Sequence, residues 1–264
     1  MTVREALRLA ERDLAAAGVD TPRVDAELIL AHVLGTSRSG VYAQADAVVP
    51  DTWQVLLGRR VAREPLAYVL GEWGFRRLVL KTDARALVPR PETEIVVERA
   101  LDLLRGMSGP RVLDVGTGTG AIALAIADEH PGARVTAVDS SQDAVALARE
   151  NAQRLGLDVE VRLGDFAAAA EGWELVVSNP PYVTPEEWDT LQSEVREWEP
   201  RGALVGVGLH QELARLARTR LLVLETGRCQ ADDVAAALTS FGYEDVRVTP
   251  DLAGIPRVVE GRRR

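Results

Sequence analysis

Through the first 71 residues the apolar positions recur at three- and four-residue spacing; beyond residue 91, short apolar runs alternate with amphipathic stretches. Val3, Ala6, Leu7, Ala10 and Leu14 form one helical stripe, with Thr2 and Glu5 in capping-box positions and Gly18 at its end. A second helix is expected from Pro22 to Gly35, with proline in the first turn and glycine past the last. A third is expected over about 51–62, stopped by Pro65, with a short turn ending at Gly71. Aromatic and branched residues over 72–82 suggest a two-stranded hairpin. A helix at 91–105 then precedes the apolar run RVLDVG, and runs of the same kind follow at ARVTAVD, DVEVRLGD, WELVVSNPP, RLLVLETG, YEDVRVTP and IPRVVEGR. Helices between the first five imply right-handed βαβ units and a parallel sheet. The predicted organisation is a helical domain at 1–71, a hairpin linker at 72–90 and an α/β domain at 91–264.

Composition narrows the partners. Residues 1–85 carry 12 basic and 11 acidic side chains, and residues 86–264 carry 19 and 29. The acidic excess disfavours direct nucleic-acid binding, since a chain that neutralises phosphates needs a basic surplus somewhere. One cysteine and three scattered histidines give no disulfide framework and no metal cluster. The N-terminal stretch is charged every few residues and no apolar run approaches a membrane span, so a cytoplasmic protein with no membrane contact is expected, as a monomer.

The candidate chemistry lies at the ends of the strands. In DVGTGTG, Gly116, Gly118 and Gly120 allow a tight turn and close backbone approach to a ligand, with Thr117 and Thr119 between them. Asp139 ends the next strand, where a carboxylate accepts both hydroxyls of a ribose. The G-x-G-x-G spacing is shorter than the dinucleotide fingerprint and favours S-adenosylmethionine over NAD. A tight turn and a solvated aspartate is the plainer alternative. Asp165 and Phe166, in LGDF, can meet an adenine amine and cover a purine face, or serve as turn former and core.

SNPPY at 178–182 is the most informative segment. Its two prolines stiffen the backbone, so that the Asn179 side-chain oxygen and the Pro180 carbonyl can accept both hydrogens of a planar –NH₂ group. Pro181 and Tyr182 complete the segment, and Tyr182 offers a flat ring. The alternative is a rigid strand-to-loop turn. An amide nitrogen is a poor nucleophile, and two acceptors on its hydrogens stabilise the positive charge that develops as it takes a methyl group.

Several motifs together carry a family resemblance. EPLAYVLGEWGF (64–75), LVPRPETE (87–94), DVGTGTGAIA, SNPPY, EVREWEPRGAL (194–204) and DLAGIPRVV (251–259) resemble, in order, the HemK/PrmC family of glutamine methyltransferases. That resemblance implies a seven-stranded, Rossmann-like S-adenosylmethionine-dependent methyltransferase sheet with a small all-helical N-terminal domain that docks the substrate. It implies that Gly116, Thr117, Gly118, Thr119, Gly120, Asp139, Asp165, Phe166 and Asn179 bind the cofactor. Asn179 and Pro180 would be catalytic, and Asn179, Pro180, Pro181 and Tyr182 would hold the substrate amide. The implied reaction methylates the glutamine of the Gly-Gly-Gln motif in peptide-chain release factors and leaves S-adenosylhomocysteine, without a metal.

The resemblance leaves rivals and secondary sites. A ribosomal-protein glutamine and an adenine amine of nucleic acid are the rival substrates, and a non-catalytic cofactor-binding scaffold has no need of Asn179. Arg90 and Glu92 would close over the site, or form an ion-paired helix start; Glu194, Arg196 and Glu199 would order the loop after SNPPY. The segment before RLLVLETG lacks the family's longer helix and glycine turn, and His210 there reads as a helix-start residue rather than a base.

Overall fold

The computed structural model describes residues 1–263 and separates into two compact units, 1–72 with 192–198, and 73–191 with 199–263. The first unit is helical: α1 (Val3–Ala16), α2 (Pro22–Leu34), α3 (Arg38–Ala43), α4 (Thr52–Val61) and α5 (Leu66–Leu70). The Thr2 hydroxyl accepts from Glu5 N–H while the Glu5 carboxylate accepts from Thr2 N–H, so the capping box is complete. The stripe on α1 is buried with Ile29, Leu30 and Trp53. Helix α3 has no counterpart in the sequence pattern, because it buries a single apolar side chain, Val41.

Segment 192–198 clusters with this helical unit, although the sequence pattern places it in the α/β domain. The reason is electrostatic. Arg60, almost fully buried, donates to Asp25 at 2.7 Å, to Glu194 at 2.9 Å and to the Glu64 carbonyl at 3.1 Å. Arg63 donates through two nitrogens to the same Glu194 carboxylate. Burial alone would raise the Glu194 carboxyl, but the bonds from Arg63 and Arg60 outweigh it and hold the group below its ordinary value.

The second unit opens with the hairpin β1 (Glu72–Phe75) and β2 (Leu78–Lys81), followed by α6 (Thr93–Leu104). Phe75, Leu78 and Leu80 are buried in one core with Val96, Ala100 and Ile122, so the hairpin belongs to the body of this unit. Then come β3 (Arg111–Val115), α7 (Ala121–Glu129), β4 (Arg134–Asp139), α8 (Gln142–Leu155), β5 (Val159–Leu163) and β6 (Trp173–Ser178). The chain continues through α9 (Ser193–Trp198), α10 (Leu209–Leu216), β7 (Thr219–Glu225), α11 (Ala231–Ser240), β8 (Glu244–Pro250) and β9 (Pro256–Arg262). The strands form a seven-stranded sheet in the order β5-β4-β3-β6-β7-β9-β8, parallel except where β9 pairs with β7 and β8. Helices cover both faces, which is why β3 and β6 are apolar on both sides along most of their length, as at Val112 and Leu113 and at Leu175, Val176 and Val177.

The chain winds outward from β3 through β4 to β5, then crosses to β6 and β7 on the other side. Such a reversal opens a crevice at the carboxyl ends of the strands. Strand register decides what faces it. Val115 is level with Val138 on one side and with Ser178 on the other, and Ser178 is level with Leu224. One residue further on, that row delivers Asp139, Gly116, Asn179 and Glu225 to the same edge.

Candidate active site

The glycine turn between β3 and α7 takes left-handed backbone at Gly116 (φ 74°), Gly118 (57°) and Gly120 (87°). The Gly116 and Thr117 N–H groups both donate to the Val138 carbonyl, at 2.9 and 3.0 Å. A Cβ at Gly120 would lie 2.9 Å from Leu124 Cδ1, whereas one at Gly116 would meet nothing within 4 Å and would grow into the open cradle a ligand must fill. Beneath the turn, the fully buried Asp114 Oδ2 accepts from Thr117 Oγ1 at 2.6 Å and from Ala123 N–H at 3.2 Å. Its Oδ1 has no partner, and burial pushes the carboxyl up to about 7. The buried Asn151 amide donates to the Lys81 and Thr119 carbonyls and accepts from Lys81 N–H, fastening the turn to the hairpin.

Asp139 is oriented by backbone. Gly118 N–H donates to Oδ2 and Ser141 N–H to Oδ1, each at 2.9 Å. A carboxylate has about four acceptor positions, so two remain for the paired hydroxyls of a ligand. Asp165 Oδ1 accepts from Ala167 N–H at 2.8 Å, capping the 3₁₀ turn Phe166–Glu171. The turn-forming and ligand-facing readings of Asp165 are therefore compatible, and Phe166 both packs on the core and lines the cavity.

These groups surround a cavity of about 670 Å³. Of the residues expected in the site, Gly116, Thr117, Gly118, Thr119, Asp139, Asp165, Phe166, Asn179 and Pro181 line it. Gly120, Pro180 and Tyr182 are not in the lining; Gly120 caps α7 and Pro180 is buried. The Tyr182 hydroxyl donates to Glu225 Oε1 at 3.4 Å, and its ring stacks on His210 with centroids 6.5 Å apart. Burial, then the charge of Glu225, push the Tyr182 phenol up.

Two polar residues complete the site: Thr93, which the sequence pattern does not single out, and Glu225, to which it gives no role. Asn179 Nδ2 donates to Thr93 Oγ1 at 3.3 Å, and Thr93 Oγ1 donates to Glu225 Oε2 at 2.6 Å. Glu225 is 1% exposed, and burial raises its carboxyl to about 7. A signal was present: an acid closing the apolar run LLVL matches Asp139 closing TAV. The cavity wall also includes Ala86, Leu87 and Val88, between the hairpin and α6.

The expected flanking residues divide. Arg90 lines the cavity and donates to both oxygens of the buried Glu199, each at 2.8 Å; Glu92 stands at the N-cap position of α6 without a side-chain capping bond. Burial raises the Glu199 carboxyl against the pull of Arg90. His210 lies in the first turn of α10, whose N-cap is Gly208, with Nε2 2.8 Å from the Glu225 carbonyl oxygen. Burial lowers its imidazole pKa. Among the described residues, no group of three or more His, Cys, Asp or Glu is placed to hold a metal ion, and no helix is long and apolar enough to cross a membrane.

Residues 5–71 match the family model described as the PrmC N-terminal domain, and residues 93–208 match the methyltransferase small domain. The fold is shared with the hMettl16 catalytic domain in complex with an RNA hairpin, at TM-score 0.57 and 15% identity over 76% of this chain and 81% of that one. It is shared also with a T. thermophilus 16S rRNA methyltransferase in complex with AdoMet and guanosine, at TM-score 0.53 and 18% identity over 73% and 50% of the two chains. A doubly wound sheet, its crevice and the matched domain make the protein a methyltransferase. The chain is 43% identical over 280 residues to the release factor glutamine methyltransferase of Deinococcus radiodurans, covering 100% of this chain and 99% of that protein. It is 42% identical over 256 residues to that of Bordetella pertussis, covering 91% and 94%. The chain belongs to the release factor glutamine methyltransferase family.

Proposed function

We propose that the protein transfers a methyl group from S-adenosylmethionine to the side-chain nitrogen of the Gly-Gly-Gln glutamine in peptide-chain release factors. The observation that carries this reading is that one cavity brings together the glycine turn, Asp139 and the rigid Asn179. S-adenosylmethionine, when bound, supplies a methyl group activated by its sulfonium and leaves as S-adenosylhomocysteine. Asp139 accepts the ribose hydroxyls with its two remaining acceptor positions, while Asp165 and Phe166 receive the adenine. Asn179 Oδ1 and the Pro180 carbonyl accept the two hydrogens of the glutamine amide, hold its nitrogen in line and stabilise the charge that grows there, until one of the two hydrogens leaves to solvent as a proton. Pro181 fixes the carbonyl before it, and Tyr182 bounds the amide site from its seat on His210 and Glu225.

Every residue lining the cavity belongs to the sheet-containing unit. The helical unit is thereby free for another task, and we assign it the docking of the release factor.

Mass spectrometry of purified release factors incubated with the protein and S-adenosylmethionine tests the reaction. A gain of one methyl on the Gly-Gly-Gln peptide is expected, and Asn179→Ala should abolish most of it. A methyl found instead on a ribosomal protein or on nucleic acid would overturn the substrate assignment.

A further inference from the structure

Asn179 can present its oxygen to a substrate only if its planar amide is turned the right way. We propose that Thr93 and Glu225 are positioning residues that fix this orientation: Glu225 takes the Thr93 hydroxyl proton, which leaves Thr93 able only to accept from the amino end of Asn179. The inference rests on the reading of Asn179 as the acceptor of the substrate amide.

The argument needs only the inventory of hydrogens. A threonine hydroxyl has one proton to give. The 2.6 Å bond from Thr93 Oγ1 to Glu225 Oε2 uses it, since an ionised carboxylate can only accept. The remaining Thr93 lone pairs face Asn179 at 3.3 Å, and only an N–H can satisfy them. The amino end of Asn179 is drawn to Thr93, and the oxygen is turned from it. Tyr182 donates to the other Glu225 oxygen, so both carboxylate oxygens are supplied with donors only while the group is ionised.

Protonation reverses the chain. A neutral Glu225 can donate to Thr93, whose proton is then free for the oxygen of Asn179, and the amide turns with its amino end to the substrate. Two donors then face each other and the amide site is lost. The surroundings place this change within reach of ordinary pH. Burial dominates, Glu92 at the head of α6 adds to it, and Arg257 on β9 and the hydroxyls of Thr93 and Tyr182 oppose it, leaving Glu225 at about 7. His210 on α10 meets the Glu225 backbone carbonyl rather than its carboxyl.

The test compares Thr93→Val, Thr93→Ser and Glu225→Gln in the full chain. Thr93→Val keeps the shape and removes the hydroxyl. It should lower kcat about tenfold or more, as when one preorganised hydrogen-bonding group loses its orientation, with KM and affinity for S-adenosylhomocysteine little changed. Thr93→Ser should restore most of the loss. Wild-type kcat should fall as pH falls through about 7, and Glu225→Gln should remove that limb.

A second readout needs no turnover. The Asn179 side-chain amide protons, followed by NMR without cofactor, should shift in one titration near pH 7 that is absent from Glu225→Gln and from Thr93→Val. Equal losses in the valine and serine variants, a wild-type rate in the valine variant, or an acid limb that persists in Glu225→Gln would overturn the proposal. If the wild-type protein methylates no release factor, the proposed function fails, and the amide titration still decides the positioning role.

Discussion

Two buried carboxyl groups of the helical unit and two of the sheet-containing unit are treated in opposite ways. In the helical unit Asp25 and Glu194 meet the guanidinium of Arg60, and Glu194 also meets Arg63, so each charge is matched where it is buried. In the sheet-containing unit Asp114 and Glu225 are buried just as deeply, yet the hydrogen bonds they accept come from hydroxyl and backbone N–H groups. Matching holds Glu194 below its ordinary value, whereas burial without a matched cation carries Asp114 and Glu225 to about 7. The first arrangement fixes a segment of chain in place. The second keeps groups near the point of changing protonation, which is where groups that set up chemistry are commonly found.

Breaking the matched cluster should have the largest effect. Arg60→Met leaves the buried Asp25 without its cation and Glu194 with Arg63 alone, and should destabilise the protein by about 3–5 kcal/mol in denaturant unfolding. A loss near zero would mean that the cluster is solvated and the contrast false. Asn179→Ala should come next, lowering turnover about 10²–10³-fold, some 2.7–4 kcal/mol, with only a modest fall in cofactor affinity. Kinetics on release factor separate the two, and an unaltered rate would reduce SNPPY to a structural turn. Asp139→Ala should cost about 1.5–3 kcal/mol for each charge-assisted bond to the ribose, read by calorimetry with S-adenosylhomocysteine. Equal binding by variant and wild type would remove Asp139 from the site.

The dependence on pH sharpens the contrast most, because its sign differs between the two pairs. Asp114 titrates near its ordinary 3.8 when unfolded and at about 7 when folded, so its contribution is full below the lower value and is lost as pH rises through 7. Glu194 is lowered on folding, so its contribution is present above its ordinary 4.5 and is lost as pH falls. Asp114→Asn should therefore flatten the Tm profile on the neutral side, and Glu194→Gln on the acid side. Identical profiles for the two variants would contradict the assignment of opposite signs.

What could be read from the sequence followed the range of the interactions. The capping box of α1, the glycine turn and the sheet strands are set by residues a few positions apart, and they are legible as spacing. The Arg60–Glu194 pair joins side chains 134 residues apart, and no local pattern announces it. For the same reason no local spacing points segment 192–198 to the helical unit with which it clusters. Thr93 and Glu225 lie 132 residues apart, and only the register of β6 against β7 brings Glu225 beside Asn179. The aromatic and branched residues of 72–82 announce a hairpin, but what it packs on is not local: folded, Phe75 and Leu80 are among the most deeply buried side chains. Tyr182 was legible as a ring near the site, but its seat on His210 depends on α10, which begins only after the long excursion that follows SNPPY.

The peptide link between Asn179 and Pro180 also bears on how the enzyme ages. Asparagine commonly deamidates when the backbone nitrogen of the next residue attacks the side-chain carbonyl and closes a succinimide ring. Proline carries no hydrogen on that nitrogen, so the ring cannot close in the usual way. The residue that must stay an uncharged amide is therefore joined to the one neighbour that blocks its commonest spontaneous conversion to aspartate. The same bond that stiffens the loop also protects its chemistry over the lifetime of the protein.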